Sequence, residues 1–500
     1  MGSEEITANS GSKKARKKSV IKINFVYSLM YQILTLILPL ITAPYVSRVL
    51  GANLLGAYQT THALANYFYL FTLLGVNNYG NREIARIRED RTERSRTFWE
   101  IYSFQLMTSV VVCSLYVLFC LFFESEYRTI YILQGLYVFS GALEVNWYCY
   151  GMEKFKLTTI RSMLIRIATL IAVFVFVRDR SDLAVYTAIL STGLVLSAIV
   201  VWPYVLKSVD FIKPTWKGIA RHIKPNLILF WPVIAVSLYN IMDKLLLGHF
   251  STNEEVAFYA NAERIATIPV TMILALDNVV MPRMSNIFAK QETEKARELM
   301  SYVMLFAMFM SCAMAFGLAG VADVFAPWFY GSEFTRCGFY LFLLSFTIIF
   351  KGWAGALRTQ YIIPKGKNQV FIISLTAGAV VNLILDFLLI PSMDGIGAII
   401  GTIAAEASVA IIQFVMCRKE VPMREYLKNG ISFTAIGLVM FFCVRAVTLI
   451  GLGALPTLLI QIVFGAIIYV GLAFVYMILT KQPYLINEGL KTLRIKYRFK

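Results

Sequence analysis

The sequence predicts an all-α membrane protein of about 14 transmembrane helices, arranged as two six-helix lobes related by a parallel repeat plus two C-terminal helices. Three observations lead there. Hydrophobic residues make up 58% of the 500 positions, charged residues only 15%, and the mean hydropathy is +0.66. A soluble domain is about a quarter charged, so a chain this apolar needs lipid as its solvent. Runs long enough to cross a bilayer recur along the whole sequence, and the basic residues collect in every second gap between them.

A spanning helix needs about 20 mostly apolar residues. Such runs cover residues 23–47, 54–77, 98–123, 128–150, 159–177, 183–206, 226–248, 256–281, 299–321, 337–357, 369–390, 395–417, 431–450 and 456–479. The first nineteen residues are polar and end in Lys13-Lys14-Ala15-Arg16-Lys17-Lys18, with no small-residue cleavage site after a short apolar core. The first apolar run therefore reads as a retained helix rather than a signal peptide.

Lys and Arg outnumber Asp and Glu by 47 to 30. With the N-terminus inside, 37 of the 47 fall on cytoplasmic segments, five in outside gaps and five within helices. That split is a strong positive-inside signal, so both termini are expected in the cytoplasm. It also explains the net charge of +17 without nucleic acid. The run from Arg82 to Arg96 is interrupted by Glu83, Glu89, Asp90 and Glu93 and reads as a solvated loop, not an RNA-binding helix.

The first and seventh runs end alike. Pro44-Tyr45-Val46-Ser47-Arg48-Val49-Leu50-Gly51 precedes Gly56-Ala57-Tyr58, and Asp243-Lys244-Leu245-Leu246-Leu247-Gly248 precedes Val256-Ala257-Phe258-Tyr259. Tyr58 and Tyr259 are offset by 201, as are Arg82 and Arg283, and Asp182-Leu183-Ala184 opens the sixth run much as Asp394-Gly395-Ile396 opens the twelfth. A unit of six helices keeps both copies in one orientation, which places substrate between lobes in transporters of this kind. The expected organisation is a basic tail (1–22), an N-terminal lobe (23–207), a cytoplasmic linker (208–225), a C-terminal lobe (226–419), two further helices (430–480) and a second basic tail (481–500).

The seven cysteines are scattered without a CxxC, and His62, His222 and His249 lie far apart, so buried thiols and solitary imidazoles are the simplest reading. No Walker A loop, GxSxG or HExxH occurs, and no gap is long enough for a catalytic domain. An enzyme is not expected. Trp147, Trp231 and Trp353 fall near inner helix ends and read as an interfacial belt; Arg166, Arg358 and Asp394 sit near ends where charged groups snorkel.

Charges within spans are the functional candidates, because each is costly in hydrocarbon. Arg48 ends the first run, Asp243 and Lys244 end the seventh, and Glu263 and Arg264 enter the eighth. Two readings stay open: ion pairs among these residues, or an anion site, since phosphates take several cationic donors and guanidinium grips two oxygens at once. The acids Asp243, Glu263, Asp386 and Glu406 are candidates for H+ or Na+ coupling, with Glu144 and Asp277 equally suited to helix-end pairing. No other cofactor and no metal centre is expected.

The segments PYVSRVLGANLLGAY, LGVNNYGNREIAR, NWYCYGMEKFKLTTIRSML, YNIMDKLLLG, FYANAERI, VVMPRMS and IPSMDGIGAIIGTIAAE resemble, in order, the polysaccharide flippases of the Wzx type. These belong to the multidrug/oligosaccharidyl-lipid/polysaccharide exporter superfamily, and the resemblance covers about residues 23–479. It implies a central cavity and a substrate: an oligosaccharide repeat unit on undecaprenyl diphosphate, flipped between leaflets. By analogy with lipid II flippases it places the diphosphate near Arg48, Lys244 and Arg264, and the polyprenyl tail along 431–450 and 456–479, where Arg445 departs from a purely apolar groove. The implied partners are the lipid-linked oligosaccharide, membrane lipids and, as a further candidate, a polysaccharide polymerase complex; a monomeric transporter is expected. The alternatives are a lipid II flippase, a multidrug exporter of the same superfamily, or a non-transporting subunit of a glycan assembly complex.

Overall fold

The computed structural model describes the backbone of residues 2–123 and 126–480, and their side chains except those of 2–34, 36, 239–240 and 276–279. The tail expected at 481–500 and the side chain of Asp277 lie outside the described residues. Among those described, every regular element is helical.

By packing, the chain divides into two units, Met1–Ile234 and Ala235–Lys500. The first holds α1 (Gly2–Leu73), α2 (Val76–Ile87), α3 (Arg91–Phe122), α4 (Arg128–Leu143), α5 (Asn146–Gly151), α6 (Phe155–Phe176), α7 (Leu183–Ile199), α8 (Trp202–Ser208) and the start of α9 (Trp216–Phe250). The second holds the rest of α9, then α10 (Asn253–Ala289), α11 (Thr293–Tyr330), α12 (Thr335–Ser345), α13 (Thr347–Leu357), α14 (Asn368–Cys417), α15 (Met423–Ala446) and α16 (Ala454–Leu479).

Among the described residues, nine helices are long and apolar enough to cross a bilayer, or eleven if each of two bent pairs is one span. The expected fourteen is not reproduced by this test, for two physical reasons. Two long elements are double: helices within α1 meet at Gly51 (φ 75°, ψ 175°) and helices within α14 at Asp394 (φ 52°, ψ −135°). The run expected over 128–150 is split, since α4 stops after 16 residues at Leu143. Side chains serve the backbone at that break. Gln105 Nε2 donates to the carbonyls of Gly141 and Glu144, both at 2.8 Å, and Asn146 N–H donates to Glu144 Oε1 at 2.7 Å. Such substitution is what allows an irregular turn at membrane depth.

In the first unit, α2, α3, α5 and α8 share a core of Val76, Ile84, Phe98, Ile101, Trp147, Tyr148 and Val205. Trp147 is fully buried and donates to Gln105 Oε1 at 3.1 Å, so it is a packing residue and not part of an interfacial belt; Trp231, 60% exposed, fits a belt better. Gly75, at φ 88°, turns the chain into α2 where a Cβ would stand 2.5 Å from the Asn226 carbonyl. The segment between α8 and α9 is tied to α3: Arg91 grips Asp210 with bonds of 2.8 and 2.7 Å, and Trp99 Nε1 donates to the Asp210 carbonyl at 3.1 Å.

In the second unit, α11 is the central helix, surrounded by α10, α12, α13, α15 and α16. Small residues let these helices approach, with Gly437 against Phe316 and Gly320 and Gly465 against Val444. Only 17% of the apolar window of α16 is buried, and Leu459, Val463 and Ile467 point outward, which suits a hydrocarbon-facing helix.

Candidate functional site

Among the described residues of the second unit, the buried carboxylates of Asp243 and Asp386 have no cationic partner. Asp243 sits near the end of α9, Asp386 in the first half of α14, and both are buried. Their carboxyl groups lie within hydrogen-bonding reach of each other. Asp243 Oδ2 accepts from the Tyr259 hydroxyl of α10 and lies 2.9 Å from Thr402 Oγ1 in the second half of α14. Among the described residues, no donor reaches Asp243 Oδ1 or either Asp386 oxygen, and the buried amide of Asn382 has no partner.

Helical spacing brings this set together. Asn382 and Asp386 are one turn apart on one face, as are Thr402 and Glu406. Gly401 keeps the space open, because a Cβ there would collide with Asp386 Oδ1 and stand 3.2 Å from Asn382 Nδ2. Two carboxylates in contact cannot both stay charged and bare in low dielectric. As placed, the pair is short of positive charge. The polar atoms facing the pair are carboxylate, hydroxyl and amide groups. Among the described residues, no group of three or more His, Cys, Asp or Glu is placed to hold a metal ion.

The other expected site residues are placed as follows. Lys244 and Glu263 pair at 2.6 Å, both mostly buried. Glu406 pairs with Lys351 at 3.3 Å, which neutralises it without an ion. Arg264 is exposed and, among the described residues, its side chain makes no hydrogen bond or ion pair. Arg48 belongs to the first unit; it is exposed, and its Nη1 donates to the Pro44 carbonyl at 2.9 Å. Arg445 forms an ion pair with Asp323 of α11. Thus the second unit brings Asp243 and Asp386 together and keeps Glu263 and Glu406 in separate pairs. Sequence reasoning reads Tyr259 only as a landmark of the repeat and does not single out Asn382 and Thr402, although polar residues one turn apart inside apolar runs are a readable signal.

The family described as polysaccharide biosynthesis protein matches residues 21–288, more than half of the chain. The chain belongs to that family. Among curated proteins it is 24% identical to a putative O-antigen transporter of Shigella dysenteriae, over 80% of this chain and 99% of that one. It is 22% identical to a putative O-antigen transporter of Escherichia coli K12, over 80% and 97%. Among solved structures it is similar to the lipid II flippase MurJ in an inward closed conformation, with a TM-score of 0.71 at 14% identity over 91% of this chain and 98% of that one. An inward-facing multidrug transporter of the MATE family and MOP superfamily gives a TM-score of 0.58 at 15% identity, over 78% and 96%. This member of the polysaccharide biosynthesis family is therefore a multi-pass membrane protein with the fold that those transporters share.

Proposed function

We propose that the chain flips an undecaprenyl-diphosphate-linked oligosaccharide repeat unit from the inner to the outer leaflet of a bacterial cytoplasmic membrane, by alternating access, for surface polysaccharide synthesis. The observation that carries a transporter reading is the uncompensated Asp243–Asp386 pair inside an apolar helix bundle, which is costly unless an ion occupies it. The family and the two O-antigen transporters support the glycan substrate. In this reading the pair exchanges H+ or Na+ during the cycle, both termini face the cytoplasm, and the transporter works as a monomer beside a polysaccharide polymerase.

The headgroup is multiply charged, so crossing bare hydrocarbon is prohibitive and cationic side chains must offset it. Arg264, exposed and with its side chain unbonded among the described residues, is the first candidate for the diphosphate, with Arg48 and Lys244 beside it in function. Lys244 is held by Glu263, so its use requires that carboxylate to be displaced or protonated. The experiment is a deletion strain scored for lipid-linked repeat units by leaflet. Accumulation on the cytoplasmic leaflet, reversed by the wild-type gene and not by Arg264→Ala at equal protein level, is expected; normal surface polysaccharide in the deletion strain contradicts the reading.

A further inference from the structure

The first unit holds a second buried titratable cluster, built on different lines. Glu100, in α3, is buried, and its Oε2 accepts from Arg221 Nη2 at 2.6 Å and lies 3.2 Å from His222 Nε2. On the other side of the same imidazole, Nδ1 is 2.7 Å from the Tyr79 hydroxyl of α2. Asn226 Nδ2 fixes the backbone by donating to the His222 carbonyl at 2.7 Å. Gly218, one turn earlier, leaves the carboxylate its place, since a Cβ there would collide with Glu100 Oε1. His222 is 4% exposed, whereas the Arg221 side chain is 49% exposed and also lies 3.9 Å from Glu93.

Glu100 and Tyr79 can serve His222 in either charge state, but the Arg221 Nε–H, 3.3 Å from His222 Nε2, competes with a proton on that nitrogen. As neutral imidazole it either donates from Nε2 to Glu100 and accepts the Tyr79 hydroxyl at Nδ1, or accepts the Arg221 Nε–H at Nε2 and donates from Nδ1 to the Tyr79 oxygen. As imidazolium it donates from both nitrogens, so the Tyr79 hydroxyl hydrogen and the Arg221 Nε–H must both turn away. What changes is the charge. The neutral cluster pairs one carboxylate with one guanidinium; the protonated one sets two cations against Glu100. The surrounding charges are Glu83, Arg82 and Arg86 on α2, Glu93 on α3 and Arg221 on α9 itself.

We propose that the Tyr79–His222–Glu100–Arg221 cluster is a proton-binding site of the first unit, in which imidazolium and guanidinium compete for one carboxylate. Protonation of His222 satisfies Glu100 and frees the half-exposed Arg221 toward solvent, which loosens the start of α9 from α3. This site is separate from the aspartate pair of the second unit and stands without the transport reading.

The chain has three histidines, so His62→Gln with His249→Gln leaves His222 as the single imidazole. The test follows its 15N chemical shifts from pH 5 to 9 in the full chain, labelled with 15N-histidine in phosphatidylethanolamine/phosphatidylglycerol nanodiscs. His222 is expected to titrate within that range. Glu100→Gln should lower the midpoint and Arg221→Gln should raise it, each by about one pH unit. Should Glu100→Gln fail to fold, Arg221→Gln alters only a half-exposed side chain and carries the test alone. A His222 signal that stays flat from pH 5 to 9, or a midpoint unmoved by Arg221→Gln, overturns the proposal.

Discussion

Glu100 in the first unit and Asp386 in the second are both buried acids among helices, yet they are served in opposite ways. Glu100 has a guanidinium at 2.6 Å and an imidazole at 3.2 Å on the same oxygen. Asp386 faces another carboxylate, and no donor among the described residues reaches either of its oxygens. A compensated acid of the first kind stabilises an arrangement of helices and tolerates an added proton. An uncompensated pair of the second kind is a deficit of positive charge, which only a proton or a cation can fill. The two clusters therefore contrast a compensated acid with an uncompensated pair within one chain.

The largest effect should come from removing that deficit. Asp386→Asn and Asp243→Asn are each expected to abolish export of lipid-linked repeat units while protein reaches the membrane at normal level, read by surface polysaccharide and immunoblot. If only one abolishes export, the pair does not act as a unit. Next comes the space beside it. Gly401→Ala drives a methyl into the position of Asp386 Oδ1, so export should fall about tenfold, a loss of about 1.4 kcal/mol in the rate-limiting step. Gly471→Ala, where a Cβ meets nothing within 4 Å, is the matched control.

A third test asks whether Lys351–Glu406 belongs with the compensated kind. Lys351→Met strands a buried carboxylate and should lower thermal stability by about 3 kcal/mol, whereas the double change with Glu406→Leu should recover most of that. Full loss in the double variant would place Glu406 in the exchange machinery instead. The smallest effect is at Glu420, between α14 and α15. Hydrogen bonds from Lys367 and Tyr361 hold its carboxyl below the ordinary 4.5. A lowered folded-state value contributes stability that is present above the ordinary value and lost as pH falls through the folded one. Wild type and Glu420→Gln should thus differ in unfolding temperature at pH 7 and converge as pH falls below 4.5 and through the lowered folded-state value.

The helices were readable because hydrocarbon imposes a length of about 20 apolar residues on each span. The gaps at 47–54 and 390–395 hold the two breaks, at Gly51 and Asp394, since glycine and a polar residue among apolar runs mark where a helix can end. The break at Glu144 was not readable. It depends on Gln105, 39 residues away, reaching back to two carbonyls, and spacing along one segment carries no trace of that. The same limit applies to the sites. Asp243 and Asp386 were visible as charges in apolar runs, but their contact joins positions 143 residues apart in the sequence. Glu100 sits inside a run starting at 98; its partner Arg221 reads as a topology-setting base and His222 as a solitary imidazole, whereas the fold places His222 between Glu100 and Tyr79.

The central claim is that the aspartate pair takes up an ion. It is tested most directly by the unfolding temperature of the purified full chain, with NaCl replacing choline chloride at fixed ionic strength, from pH 6 to 9. A ligand at 100 times its dissociation constant stabilises a native state by about 2.7 kcal/mol. Wild type should therefore gain stability with Na+ at high pH, or with protons as pH falls, and Asp386→Asn should lose that dependence while becoming more stable than wild type in choline at pH 9. Identical Na+ and pH dependence in wild type and Asp386→Asn would contradict the account.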